Sequence, residues 1–398
     1  MNYPESIEIK LGFDQIRSLI EKECLSGLGK DYLKKMKFSN KHSLIFLWQN
    51  QVKEFLSIIN KGIYFPSDNY IDPGNNLKNL EIEGFFLLEH QIFELRLSLE
   101  TISKIMKFLK ENALEFPLLA DIFKDYEFEK GLIAIIDKVL DKEGKIKANA
   151  SVNLQKITAS LMDTESEVHK KINQIFKNAK KEGWAADIDI SIRDGRLVMP
   201  ILAEHKRKIK GLVHDESANG TIYFIEPAEI LDLNNFIREL QLAKRKEIEL
   251  ILKSLSQQIR PFVPLLQTYF QKLGLIDFIR AKAYFAQSIN AEIPHIENKP
   301  AINWKKAFHP LLWLHHKKNK QKIIPLDLEF NDKERILVIS GPNAGGKSVS
   351  LKTIGLLQYM LQCGIPCPAL PESKAGIFKE MFIDIGDDQD LDNDLSTY

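Results

Sequence analysis

The sequence predicts a mainly α protein joined to an α/β segment, on three observations. The stretch from Ser151 to about Lys181 has no Gly or Pro and carries apolar residues at three-four spacing. A matching pattern runs from Ile230 to Pro261. Near Pro300 the texture changes, and the apolar run "ERILVIS" leads into "GPNAGGKSVSLKTIG", a glycine-rich loop opening onto a helical pattern. The expected organisation is a helical core over 1–148, a long-helix region with a β tip over 149–262, a helical return over 263–300, and the N-terminal part of a P-loop α/β domain over 301–398.

The first 140 or so residues read as helical scaffold. Phe13, Ile16 and Ile20 share one helical face. Gly27 and Gly29 are expected to break that helix, with the next starting near Lys30. Ile92, Leu95, Leu99, Ile102 and Ile105 mark another face, and "NYIDPGNNL" between these blocks reads as a turn. From Ser151, the residues Leu154, Ile157, Leu161, Val168, Ile172, Ile175 and Ala179 predict one amphipathic helix, roughly 45 Å long at about 1.5 Å per residue. Ile230, Leu233, Ile237 and Leu240 open its counterpart, and Ile248, Ile251, Leu255 and Ile259 continue it. Between them, "DIDISIRDGRLVMPI" alternates and turns at Asp194-Gly195, and "KGLVHDESANGTIYFIEP" repeats the pattern at Asn219-Gly220. Both are hairpin signals. Two long antiparallel helices are therefore expected to carry a small β tip. That tip is locally basic, with Arg193, Arg196, His205, Lys206, Arg207, Lys208 and Lys210. Such a run either meets phosphates or is a solvated charged face, and both readings stay open. "LGLIDFIRAKAYFAQSINAE" returns as helix, and "ERILVIS" reads as a buried strand.

Composition limits the choices. Apolar residues make up 44% of the chain, enough for packed cores. Basic residues number 55 against 54 acidic, so bulk charge does not call for a nucleic acid and any such partner needs a local patch. The cysteines are Cys24, Cys363 and Cys367; an odd, sparse set fits a reducing, cytoplasmic setting. Cys363 and Cys367 lack a second Cys/His pair, so no metal site is expected there. The N-terminus does not read as a signal peptide, and the absence of any apolar run of about eighteen residues predicts no membrane partner.

The loop carries the most chemistry. Gly341, Gly346, Lys347 and Ser348 fit G-x-x-x-x-G-K-[ST]. Glycines let backbone N–H groups turn toward phosphates, and the following helix points its positive end at the same anion. The candidate nucleotide-binding residues are Gly341, Pro342, Asn343, Ala344, Gly345, Gly346, Lys347 and Ser348. Lys347 is expected on the β- and γ-phosphates of ATP, and Ser348 on Mg²⁺. Hydrolysis also needs a carboxylate at the end of a second strand. Met381, Phe382 and Ile383 before Asp384 form a poor match, because Ile385 follows where an acid is wanted. Asp387, Asp388, Asp390, Asp392 and Asp394 resemble a calcium loop only loosely, and a solvated acidic loop is the preferred reading.

"GPNAGGKSVSLKTIGLLQYMLQCGIPCPA" resembles the ATPase domain of the MutS family, in particular its second bacterial branch. That branch lacks the mismatch-reading N-terminal domains and usually ends in a small Smr nuclease domain. "ISIRDGRLVMPILAEHKRKIKGLVHDESANGTIYFIEP" is similar to its clamp region, and "FIDIGDDQDLDNDLSTY" to its DIGDEQSI-type segment. The resemblance implies a helical core, long lever helices with a β-containing clamp at their tip, and an ABC-like ATPase. It implies a homodimer that encloses nucleic acid, either branched DNA, where it suppresses recombination, or stalled ribosomes. It carries Gln389 over as a catalytic residue touching metal or water, beside Lys347, and Ser396 as a residue reaching the partner's nucleotide. The clamp reading carries Arg193, Arg196, Lys206, Arg207 and Lys208 as nucleic-acid contacts. Where the family stacks an aromatic on adenine, this chain has Ile323 or Ile324. The family's Walker B acids would fall beyond Tyr398, so the chain is expected to be cut short inside the ATPase domain and not to hydrolyse ATP alone. The alternative is a nucleotide-binding dimerisation module without hydrolysis. A P-loop enzyme of small-molecule metabolism, the third possibility, does not account for the long arms.

Overall fold

The computed structural model describes residues 3–319, 323–331, 333–341 and 346–384. The chain divides into two compact units, one assembled from 1–77, 94–129 and 264–398, the other from 78–93 and 130–263.

In the second unit, the expected long helices are Val152–Lys181 and Ala228–Ile259. Ser151 caps the first, accepting from Leu154 N at 2.9 Å, and donates to Glu247 Oε1 at 2.7 Å. At the other end, Val168, Ile172, Phe176 and Ala179 cluster with Ile230. The start of one helix thus meets the later part of the other, and the pair is antiparallel. The chain between them forms β1 (Ser191–Arg193), β2 (Arg196–Leu202), β3 (Gly211–Glu216) and β4 (Ile222–Pro227). They make an antiparallel sheet in the order β1-β2-β4-β3. Arg193 pairs with Arg196 across a two-residue turn whose central residues, Asp194 and Gly195, have φ of 48° and 74°. Such positive values match the strand twist, which is why Asp-Gly signals a hairpin. In the second turn, Asn219 Oδ1 accepts from Ser217 Oγ and Thr221 Oγ1, each at 2.8 Å. Met199, Ile201 and Ile225 join the helical cluster, so the sheet rests on the helix pair through one apolar face.

In the first unit, helix Phe13–Glu23 buries Phe13, Ile16 and Ile20 completely. The next helix, Gly27–Lys35, starts earlier than the glycines suggested. Ser26 caps it, and a residue far along the chain fixes that cap in place. Ser26 Oγ accepts from Gly29 N at 3.2 Å, while buried Asp277 accepts from Leu25 N, Ser26 N and Ser26 Oγ at 2.8–2.9 Å. Burial still pushes the Asp277 carboxyl above the usual carboxylate range. Gly29 lies so near that a Cβ would stand 2.3 Å from Asp277 Oδ2. Replacing Gly29 by alanine is therefore expected to destabilise the unit by about 1–3 kcal/mol, read as a lowered melting temperature.

The rest of this unit departs from expectation. A mixed sheet forms from β5 (His295–Glu297), β6 (Ile302–Ala307), β7 (Leu326–Phe330) and β8 (Lys374–Gly376), in the order β5-β8-β6-β7. Only β5 and β8 run parallel. The run 334–340, expected as a buried strand, joins no strand, and Ile336 and Val338 are 87% and 82% exposed. Burial on both faces requires flanking strands and covering helices; among the described residues nothing pairs with this run. The helix after the loop, Lys347–Gln362, is well seated, with Leu356, Leu357, Met360 and Leu361 fully buried. Gln49 Nε2 binds its terminal region by donating to Leu361 O and Ile365 O, both at 3.0 Å. Among the described residues, no helix is long and apolar enough to cross a membrane.

Candidate nucleotide site and basic tip

The loop helix begins at Lys347 because Gly346 caps it from the left-handed region, with φ 71° and ψ 17°. Lys347 Nζ donates to Gly341 O at 2.6 Å, tying the loop's first glycine to the helix start. Half-buried Ser348 follows, and the first turn holds no acidic residue. A cation, a hydroxyl and the positive end of a helix are thus gathered in one place, a set that fits a phosphate chain with its magnesium ion. Pro342, Asn343, Ala344, Gly345, Gln389 and Ser396 lie outside the described residues, as do Asp387, Asp388, Asp390, Asp392 and Asp394.

Beside Gly346 is a cavity of about 210 Å³ whose lining includes His309, His316, Ile323, Ile324 and Thr353. His309 is fully enclosed, and neither of its ring nitrogens has a hydrogen-bond partner among the described residues; nor does Nδ1 of His316. Burial, helped by positive Lys352, brings the His309 pKa down to about 3. Its imidazole is therefore neutral at ordinary pH and offers one donor and one acceptor. The two isoleucines supply an apolar wall at the position where the resemblance puts an aromatic. Sequence reasoning missed the histidines; the only signal was "FHPLLWLHH" upstream of the loop.

The segment weighed as a second ATPase strand does something else. Tyr3 N donates to Met381 O and Ile383 N donates to Tyr3 O, both at 3.0 Å, so 381–383 pairs with the chain's N-terminal end. Asp384 is exposed. Among the described residues, no three His, Cys, Asp or Glu side chains cluster as metal ligands would.

At the basic tip the five candidate cations differ. Arg196 is half-buried, and its guanidinium is engaged within the tip. It donates to both oxygens of fully buried Glu226 at 2.9 and 3.0 Å, and to Asn235 Oδ1 at 2.7 Å. Glu226 also accepts from Asn234 Nδ2 at 2.7 Å and lies 2.6 Å from His214 Nε2. Arg193 pairs with Asp215 at 3.1 Å and lies 4.4 Å from the centre of the Phe224 ring. Lys206 Nζ sits 4.3 Å from the Tyr223 ring centre. Arg207 and Lys208 are exposed and have no ion-pair partner among the described residues.

No family model matches the chain. It is similar to the Endonuclease MutS2 of Enterococcus faecalis, 32% identical over 98% of this chain and 49% of that protein. The Endonuclease MutS2 of a Geobacillus species is 31% identical over 98% of this chain and 49% of its own length. That of Finegoldia magna is 32% identical with the same two shares, 98% and 49%. The chain spans about half the length of the curated relatives it matches.

Proposed function

We propose a function from one premise: this chain belongs to the MutS2 family, the second bacterial branch of the MutS proteins. It binds ATP with magnesium at the Lys347 loop and holds nucleic acid at its basic tip, as a cytoplasmic clamp that pairs with a second copy. Branched DNA, in suppressing recombination, and stalled ribosomes are its candidate targets. The observation that carries this reading is the Lys347 bond to Gly341 at a helix start, which brings phosphate-binding groups together. Bound ATP with its metal would supply a change of charge and contacts that favours one clamp conformation over another. The chain's own groups do the holding: Lys347 and the helix end meet the phosphates, Ser348 the ion, and His309 with Ile323 and Ile324 the base.

Replacing Lys347 by alanine removes a charge-assisted hydrogen bond, expected to be about 1.5–3 kcal/mol. Magnesium-ATP should then bind about 10- to 100-fold more weakly in titration calorimetry; unchanged affinity would refute the site. For the tip, charge reversal at Arg193, Lys206, Arg207 and Lys208 should weaken binding to DNA or ribosomes. It should also flatten the salt dependence by about 0.9 in log–log slope for each duplex phosphate that is no longer neutralised. Equal binding at every salt concentration would sink the tip assignment.

A second reading, nucleotide binding without turnover, is favoured by the pairing of 381–383 with Tyr3, which commits that segment elsewhere. ATP turnover by this chain that vanished in Lys347→Ala would overturn it.

A further inference from the structure

A cavity of about 400 Å³ opens in the first unit where Cys363 ends the loop helix, so it lies at the far end of that helix from Lys347. Its volume is that of a small-molecule site. The wall is largely aromatic. Tyr32 and Phe278 stack with ring centres 6.3 Å apart, and Trp48 and Phe38 add two more faces. Two polar side chains are set into this wall. Lys282 is 2% exposed, donates to Gly364 O at 3.0 Å, and lies 4.6 Å from the Phe278 ring centre. Gln51 is 7% exposed, and its amide has no hydrogen-bond partner among the described residues. Lys35 and Lys37 also line the cavity but are exposed, and among the described residues neither has an ion-pair partner.

Lys282 has one evident structural task, capping the end of the loop helix through the Gly364 carbonyl. That task uses one of its N–H groups and leaves Gln51 unexplained. Two N–H groups of Lys282 and the amide of Gln51 are left for a ligand, and their place together on one aromatic cavity points to one that uses them. An aliphatic ligand would leave the amine and amide unmatched, and a purely polar one would waste the ring faces. A flat ring with keto and amide edges satisfies both, because each edge meets a donor or acceptor while the faces stack. The exposed lysines add a place for negative charge at the mouth.

We propose that this cavity binds a nucleoside monophosphate, with the base against the aromatic wall, its polar edge on Lys282 and Gln51, and its phosphate on Lys35 and Lys37. The site is separate from the Lys347 loop and does not depend on that assignment. Burial brings the Lys282 pKa down to about 7, so near neutral pH its amine both donates and accepts and remains nucleophilic.

That nucleophilicity supplies the test. Pyridoxal 5′-phosphate is a flat heteroaromatic phosphate bearing an aldehyde. The Lys282 nitrogen bonds to the aldehyde carbon, water leaves to give an imine, and added borohydride delivers hydride to the imine carbon to fix a secondary amine. Peptide mapping by mass spectrometry should find Lys282 modified at about tenfold lower reagent than surface lysines. Adenosine or guanosine 5′-monophosphate should protect it at about tenfold lower concentration than the nucleoside or inorganic phosphate alone. The double variant Lys35→Glu, Lys37→Glu changes only exposed side chains and should raise the reagent needed by about tenfold. Lys347→Ala should leave labelling and protection unchanged, which separates this cavity from the phosphate loop. Labelling of Lys282 no better than the surface background, protection by phosphate alone as good as by the nucleotide, or a rim variant that labels like the parent would each overturn the proposal.

Discussion

Replacing Glu226 by alanine is expected to destabilise the sheet-bearing tip by about 3–5 kcal/mol. Glu226 is fully buried and accepts from Arg196 through both oxygens, with Asn234 and His214 completing its shell. Removing it strands the Arg196 guanidinium, only 19% exposed, without its counter-charge. It also unties β4 from β2, which carries Arg196, from β3, which carries His214, and from the long helix that carries Asn234 and Asn235. Glu226→Gln keeps the shape but replaces one accepting oxygen by a donor, so an intermediate loss is expected. Hydrogen exchange should show the amides of β2 and β4 losing protection in both variants; unchanged protection would refute the network's role. The same network holds Arg196. Its replacement should lower tip stability first, whereas Arg207 and Lys208 should change nucleic-acid affinity with little effect on folding.

Lys282→Met is expected to stabilise the protein at pH 7, and the gain should shrink steadily as the pH is raised. The amine titrates near 10.5 in the unfolded chain, and burial lowers that to about 7 in the fold. Between those values the unfolded chain holds a proton that the folded chain lacks. Stability therefore falls as the pH drops from about 10 to about 7, by up to about 1.4 kcal/mol per pH unit. Below about 7 both states are protonated and the full penalty is present. Methionine carries no such proton and fills similar space. Urea midpoints for parent and variant at pH 7, 8 and 9 should converge; a stability difference that stayed constant with pH would exclude a buried titrating amine.

The features legible in the sequence were those whose cause is local. The long helices follow from apolar spacing, the hairpin turns from Asp-Gly and Asn-Gly, and the helix that starts at Lys347 from its own apolar pattern. What escaped depends on partners far along the chain. Gly27 and Gly29 look like breakers because Asp277, which fixes the capping Ser26, lies far along the chain. His295 gives no strand signal because its partner is Lys374. A run such as "ERILVIS" has the same composition whether covered or bare, since burial belongs to its neighbours rather than to itself. A single His309 or Lys282 is chemically silent in sequence; enclosure alone gives each its character. In a basic stretch, nothing marks Arg196 as the member that turns inward.

Those distant partners also set a schedule. Ser26 meets Asp277 across 251 residues, and Gln49 reaches Ile365 across 316. At a synthesis rate of about 5–20 residues per second, each waits roughly 13 to 60 seconds for its partner to be made. Hairpin closure takes only about 1–10 μs, so the β tip, encoded within the continuous stretch 130–263, can form during that interval. Assembly on the ribosome therefore runs from the middle outward. The chain's first helices, with Phe13, Ile16 and Ile20 still uncovered, are the last to be locked, and that delay is when the nascent protein is most open to capture by other hydrophobic surfaces.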